Sequence, residues 1–173
     1  MNAANAPGSA PARRRHLLGL GSSLLLAACA APSRQLAPAP EADYWSGRLS
    51  VQVQTDPPQS NSGEFELSGN AQAGELVLLN PLGNIVARLQ WARGEASVTQ
   101  GGSTRSSGSL AQLVQELLGA PLPIEALFDW LHGKATRAEG WVAELGAVAD
   151  GKLSAHRYSP QPEASLRIVF TQR

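Results

Sequence analysis

The spacing of apolar residues changes twice along this chain, and that change limits the folds open to it. From Gly47 to Gln54, Leu49, Val51 and Val53 alternate with Ser50, Gln52 and Gln54, the period-two pattern of a half-buried strand. After the turn-rich break Asp56–Gly63, Phe65 and Leu67 alternate with Glu64, Glu66 and Ser68. Glu75–Leu79 and Asn84–Trp91 predict two more strands, the latter with Ile85, Ala87, Leu89 and Trp91 on one face and Val86, Arg88 and Gln90 on the other. Ala96 and Val98 continue the alternation weakly, and Gln100–Gly108 reads as loop with frayed strand. The period then lengthens. Leu110, Leu113, Val114, Leu117 and Leu118 form the stripe of an amphipathic helix, with a capping box at Ser109 and Gln112 and a stop at Gly119. Pro121-Leu122-Pro123 breaks the chain before a second short helix marked by Ile124, Leu127, Phe128 and Leu131 and ended by Gly133. Strands resume at Trp141–Leu145, Leu153–Tyr158 and Ser165–Thr171, where Leu166, Ile168 and Phe170 share a face. Strands, two helices and strands joined by short turns predict a mainly β chain. Its antiparallel sheet curls and carries an inserted helical pair, in place of parallel βαβ units.

A length of 173 residues suits one folded domain, and 14 basic against 14 acidic residues leave no net field to hold nucleic acid. The single cysteine, Cys29, excludes an internal disulfide and any multi-cysteine metal site. Arg13, Arg14 and Arg15 precede the apolar run Leu17–Ala28, the charged-then-apolar shape of a secretory signal. The run is shorter than the ~20 apolar residues a membrane-spanning helix needs. Leu26-Ala27-Ala28-Cys29 resembles the bacterial lipobox, in which the thiol accepts a diacylglycerol; the alternatives are an ordinary cleavable signal or a cytosolic apolar helix. Because Ala30, not Asp, follows the cysteine, the expected address is the outer membrane, on its periplasmic face. Both the general secretory and the twin-arginine route fit the basic start. Residues 1–28 are thus expected to be a signal peptide, 29–40 a lipidated, proline-rich tether and 41–173 a single domain.

Chemistry-bearing constellations are sparse. Nucleophile-elbow, zincin and dinucleotide-binding motifs are missing, so no catalytic residue and no metal ligand are assigned. His132 at a helix end offsets the dipole, with Asp129 one turn away in a surface contact, and His156 lies in a strand. Trp91, Trp130 and Trp141 either pack the core or line a ligand. Asn80-Pro81-Leu82-Gly83 suits a type I turn, making the flanking strands a hairpin with Leu82 at its tip.

Four segments carry a more specific signal: Trp45–Val51, Leu79–Gly83, Gly119–Pro123 leading into Leu127–Gly133, and Gly140-Trp141. Their order behind a lipobox resembles the LolB family, outer-membrane lipoproteins that accept lipoproteins from the periplasmic carrier LolA and place them in the outer membrane. The Arg-rich start and the ending Phe170-Thr171-Gln172-Arg173 depart from the family pattern. The resemblance implies an unclosed antiparallel β-barrel of about eleven strands, covered by an α-helical lid over an apolar cavity. It implies a monomer with no cofactor, whose ligands are the acyl chains of cargo lipoproteins and whose partners are LolA and outer-membrane phospholipid. Cys29 is the expected lipidation site. Leu82, held by the loop geometry of Asn80, Pro81 and Gly83, is similar to the family's exposed, membrane-contacting leucine. Candidates for the cavity and lid are Leu49, Val51, Phe65, Ile85, Leu89 and Trp91 on strands, and Leu113, Leu117, Phe128 and Trp130 on helices. A lipoprotein that only bridges partners and a lipid-modifying hydrolase are the alternatives; a buried Ser or Asp beside His156 would favour the hydrolase.

Overall fold

A computed structural model describes residues 43–173. Cys29, the signal segment and the tether, with the boundaries drawn at residues 28 and 40, lie outside the described residues. Six strands come first: β1 (Asp43–Val53), β2 (Gln59–Gly69), β3 (Ala73–Leu79), β4 (Ile85–Ala92), β5 (Glu95–Gln100) and β6 (Ser103–Ser107). Helices α1 (Leu110–Leu118) and α2 (Ile124–Leu131) follow, then β7 (Trp141–Glu144), β8 (Lys152–Arg157) and β9 (Ala164–Gln172). The strands form one antiparallel sheet of nine, in the order β6-β5-β4-β3-β2-β1-β9-β8-β7. Fewer strands are therefore present among the described residues than the family resemblance implied. Because β6 and β7 remain the two edges, the sheet curls into an open half-barrel, and the helices are inserted in the chain between those edges.

Alternation decides which face of each strand is buried. Leu49, Val51 and Val53 of β1, Phe65 and Leu67 of β2 and Leu166 of β9 point inward into a single apolar cluster that also takes in both helices. Gly74 leaves room for an indole: a Cβ there would sit 2.5 Å from the ring of Trp91. Strand ends depart from the sequence reading where backbone pairing outruns the apolar pattern. Strand β1 starts at Asp43, because Asp43–Ser46 pair with Gly69–Glu66 of β2. The polar residues Gln59–Ser62, expected in a break, pair with Val53–Ser50. The stretch expected as loop after Gln100 is a hairpin: Gly101 and Gly102, with φ of 57° and 81°, turn β5 into β6, as two-residue hairpins favour.

Candidate functional site

The concave face of the sheet and the helices that cover it bring most of the expected cavity and lid residues together. Leu49, Val51, Phe65, Leu89 and Trp91 from the strands and Leu113, Phe128 and Trp130 from the helices are buried in one cluster, with Leu117 packed at its border. Ring edges interlock there: Phe128 lies 5.5 Å from Trp45 and 6.2 Å from Trp91, centroid to centroid. Three indoles combine packing with a satisfied N–H. Trp91 donates to the Asn70 carbonyl (3.0 Å), Trp130 to that of Thr136 (2.9 Å) and Trp141 to that of Pro121 (3.2 Å). The buried Trp45 N–H has no partner among the described residues.

Ile85 is the exception among these candidates. Leu78 pairs with Ala87 but Leu79 with Ile85, so β4 carries one extra residue at Val86. That bulge breaks the alternation on which the row Ile85, Ala87, Leu89, Trp91 was drawn. Ala87, Leu89 and Trp91 stay buried, while Ile85 is 54% and Val86 43% exposed.

The helical cover is attached by side chains. Among the described residues no backbone-to-backbone hydrogen bond joins either helix to a strand. Helix α1 is capped by Ser109, whose Oγ accepts from the Gln112 N–H (3.2 Å), and it ends at Gly119 with φ of 81°. Asn61 of β2 donates from Nδ2 to the Leu118 carbonyl at 3.1 Å, and Arg105 of β6 pairs with Glu116 at 2.8 Å. At the end of α2, His132 Nδ1 donates to the Phe128 carbonyl (2.8 Å) and Nε2 lies 3.1 Å from Asp43 of β1. Asp129 meets His132 through its backbone carbonyl, which accepts from the His132 N–H at 3.1 Å, while its carboxylate accepts from Thr136 Oγ1 at 2.6 Å. Asn61 had no sequence signal, since it sits in the polar stretch that reads as a break.

The β3–β4 turn has the geometry that Asn80, Pro81 and Gly83 suggest. The Gly83 N–H donates to the Asn80 carbonyl at 2.9 Å, and Asn80 Oδ1 accepts from the N–H groups of Leu82 and Asn84, both at 3.0 Å. With its tip fixed in this way, Leu82 stands 85% exposed, and Ile85 and Val86 extend the exposed apolar surface down the hairpin.

Hollows open on the surface of the described residues. One of about 160 Å³ lies between the last turn of α1 and the strand ends, where Leu49, Leu78, Leu79, Val86, Leu117 and Leu118 meet Asn61 and Gln100. A groove of 410 Å³ runs past Arg48, Glu64 and Glu66, and another of 680 Å³ past His132 and Asp150. On the concave side of the sheet, Leu113, Val114, Leu118, Phe128 and Trp130 of the helices join the inward strand residues in the one buried cluster. His156 stacks on Tyr158 at 6.1 Å, and among the described residues the buried polar or charged side chain is Arg157, so His156 has no buried Ser or Asp beside it. Burial first, then the Glu66 carboxylate, pushes the Tyr44 hydroxyl above its ordinary range, with Arg173 opposing.

Comparison with known proteins agrees with this architecture. Residues 44–167 match the family described as Outer membrane lipoprotein LolB. The outer-membrane lipoprotein LolB of Bordetella petrii is 28% identical over 92% of this chain and 94% of its own. That of Bordetella pertussis is 30% identical over 99% of this chain and all of its own, and that of Cupriavidus pinatubonensis 32% over 82% and 70%. A match through nearly the whole described region, with relatives aligned end to end, shows that the chain belongs to the LolB family of outer-membrane lipoproteins.

Proposed function

We propose that this protein receives acylated lipoproteins from the carrier LolA and inserts them into the inner leaflet of the outer membrane, without nucleotide. The observation that carries the reading is the apolar concavity capped by helices that only side chains hold in place. Acyl chains cannot cross an aqueous compartment exposed, since each methylene left in water costs ~0.8 kcal/mol. A concave sheet of aliphatic and aromatic side chains shields them without directional bonds, so many cargo proteins can share one site. In the closed form the side chains of Leu113, Val114 and Phe128 occupy that concavity. Cargo entry exchanges one apolar filling for another: the helices lift and pack on the acyl chains in place of the sheet. The exchange changes total apolar burial little, which lets uptake and release run downhill from carrier to acceptor to bilayer.

Delivery falls to Leu82. Its insertion contributes ~2 kcal/mol, enough to bias docking and weak enough to permit release. Acyl chains on Cys29 hold the protein at the membrane, since stable anchoring takes more than one chain. No catalytic residue, metal or cofactor has a part in this reading. The test mixes the protein with LolA carrying labelled lipoprotein and follows the cargo, first to the protein and then to liposomes. Passage at each step is expected, and cargo that stays on LolA refutes the acceptor role. The anchor is tested separately: Cys29→Ser should abolish lipid labelling and signal removal together, and normal membrane fractionation of that variant would refute the lipidation site.

A further inference from the structure

We infer that the uncharged hollow between the last turn of α1 and the β3–β4 hairpin is the passage through which acyl chains enter and leave, with Asn61 as its latch. The inference rests on the acyl-binding reading above and adds to it the route. The two larger grooves described above carry ionisable groups, Arg48, Glu64 and Glu66 in one and His132 and Asp150 in the other. This one has none. Its walls are aliphatic, and its polar groups include the neutral carboxamides of Asn61 and Gln100, which suit the ester and amide carbonyls at the head of an acylated cysteine. An uncharged wall fits a hydrocarbon chain, whereas a charge facing that chain would lose its water without gaining a partner.

The hollow abuts the core directly, because Leu49, Leu78 and Leu118 belong both to its lining and to the core cluster. Toward solvent it is continuous with the membrane-docking tip, since Val86 and Leu79 line it and lie on the strands that carry Leu82. Apolar surface therefore runs from Leu82 through Ile85 and Val86 to Leu117 and inward. At 160 Å³ the closed hollow falls below the ~300 Å³ of ordinary ligand pockets, so α1 must shift before a chain can pass. Three side-chain bonds hold it: Asn61 to the Leu118 carbonyl at the hollow itself, Arg105 to Glu116 one turn earlier, and Trp141 to the Pro121 carbonyl just beyond the helix.

The test uses the full-length mature protein in phosphatidylethanolamine–phosphatidylglycerol vesicles and a fluorescent tripalmitoylated cysteinyl peptide. A photo-crosslinking benzoylphenylalanine replaces Val86 or, as a control, Val142, which is 58% exposed on β7. Crosslinking to the bound peptide is expected to be at least about tenfold higher at position 86. Val86→Glu should slow both uptake and release by about tenfold, and Asn61→Ala should speed both by about fivefold, the worth of one neutral hydrogen bond. Equal labelling at the two positions, with the peptide still taken up, overturns the passage and leaves acyl binding standing. Unchanged or slower exchange in Asn61→Ala overturns the latch. If the wild-type protein takes up no peptide, the acyl-binding reading falls, and the passage with it.

Discussion

The sheet and its helical cover bury the same kinds of side chain but are held by different forces. Strand β1 is paired along both edges, with β2 over its whole length and with β9 from Trp45 to Val53, so displacing it breaks a row of backbone hydrogen bonds at once. The cover shares its apolar contacts with the sheet but is tied to it only by side chains, at Asn61, Arg105, Trp141 and Asp43. Ordered backbone pairing is cooperative, whereas apolar contact without direction can be exchanged for another apolar partner. The difference teaches which half is scaffold and which half would move in the proposed exchange.

The hardest blow should come from within the scaffold. Leu89, fully buried at the centre of β4, should lose about 2–5 kcal/mol of global stability on replacement by Ala. Chemical denaturation should show one cooperative transition at lower denaturant, with sheet and helices failing together; a loss confined to the helices would reverse the assignment of scaffold and cover.

A milder change should separate the two. Gly119 ends α1 with φ of 81°, and a Cβ there would lie 3.2 Å from Gln59 Oε1, so Gly119→Ala should cost about 1 kcal/mol through backbone strain. Hydrogen exchange should quicken in α1 while β1, β2 and β9 keep their protection. Equal loosening of the sheet would mean that the cover is cooperative with it.

Least disturbed of all should be Leu82→Glu, at an exposed turn held by Asn80. Its stability should stay within about 0.5 kcal/mol of wild type. The carboxylate should leave uptake from the carrier intact and stop delivery to liposomes. Wild-type delivery would move the membrane contact elsewhere on the rim.

Where a residue's place depends on burial, the sequence is a good guide. Leu49, Val51 and Val53 alternate because the sheet has one dry face, and the stripe from Leu110 to Leu118 recurs at helical spacing because α1 has one dry side. Strand membership without burial leaves no such trace. Gln59–Ser62 and Ser103–Ser107 belong to the sheet through backbone pairing without apolar burial, and polar side chains on both faces look like loop. Ile85 illustrates a third case: its apolar side chain follows the pattern, but one inserted residue moves it out of the row, and nothing in a strictly alternating sequence marks a bulge. Val86, which alternation had put on the outer face, lines the hollow beside α1.

The unjoined edges give this barrel mechanical compliance. A closed barrel has its girth fixed by strand number and stagger, and can widen only by breaking its ladder. Among the described residues β6 and β7 are not paired with each other, so the gap between them can spread while every strand pair stays intact, and under the proposed function the same wall would wrap cargo carrying different numbers or lengths of acyl chain. An open edge also invites pairing with a second molecule. Strand β6, reading Ser103-Thr104-Arg105-Ser106-Ser107, meets that risk with polar side chains and a charge, so an elastic girth need not bring self-assembly with it.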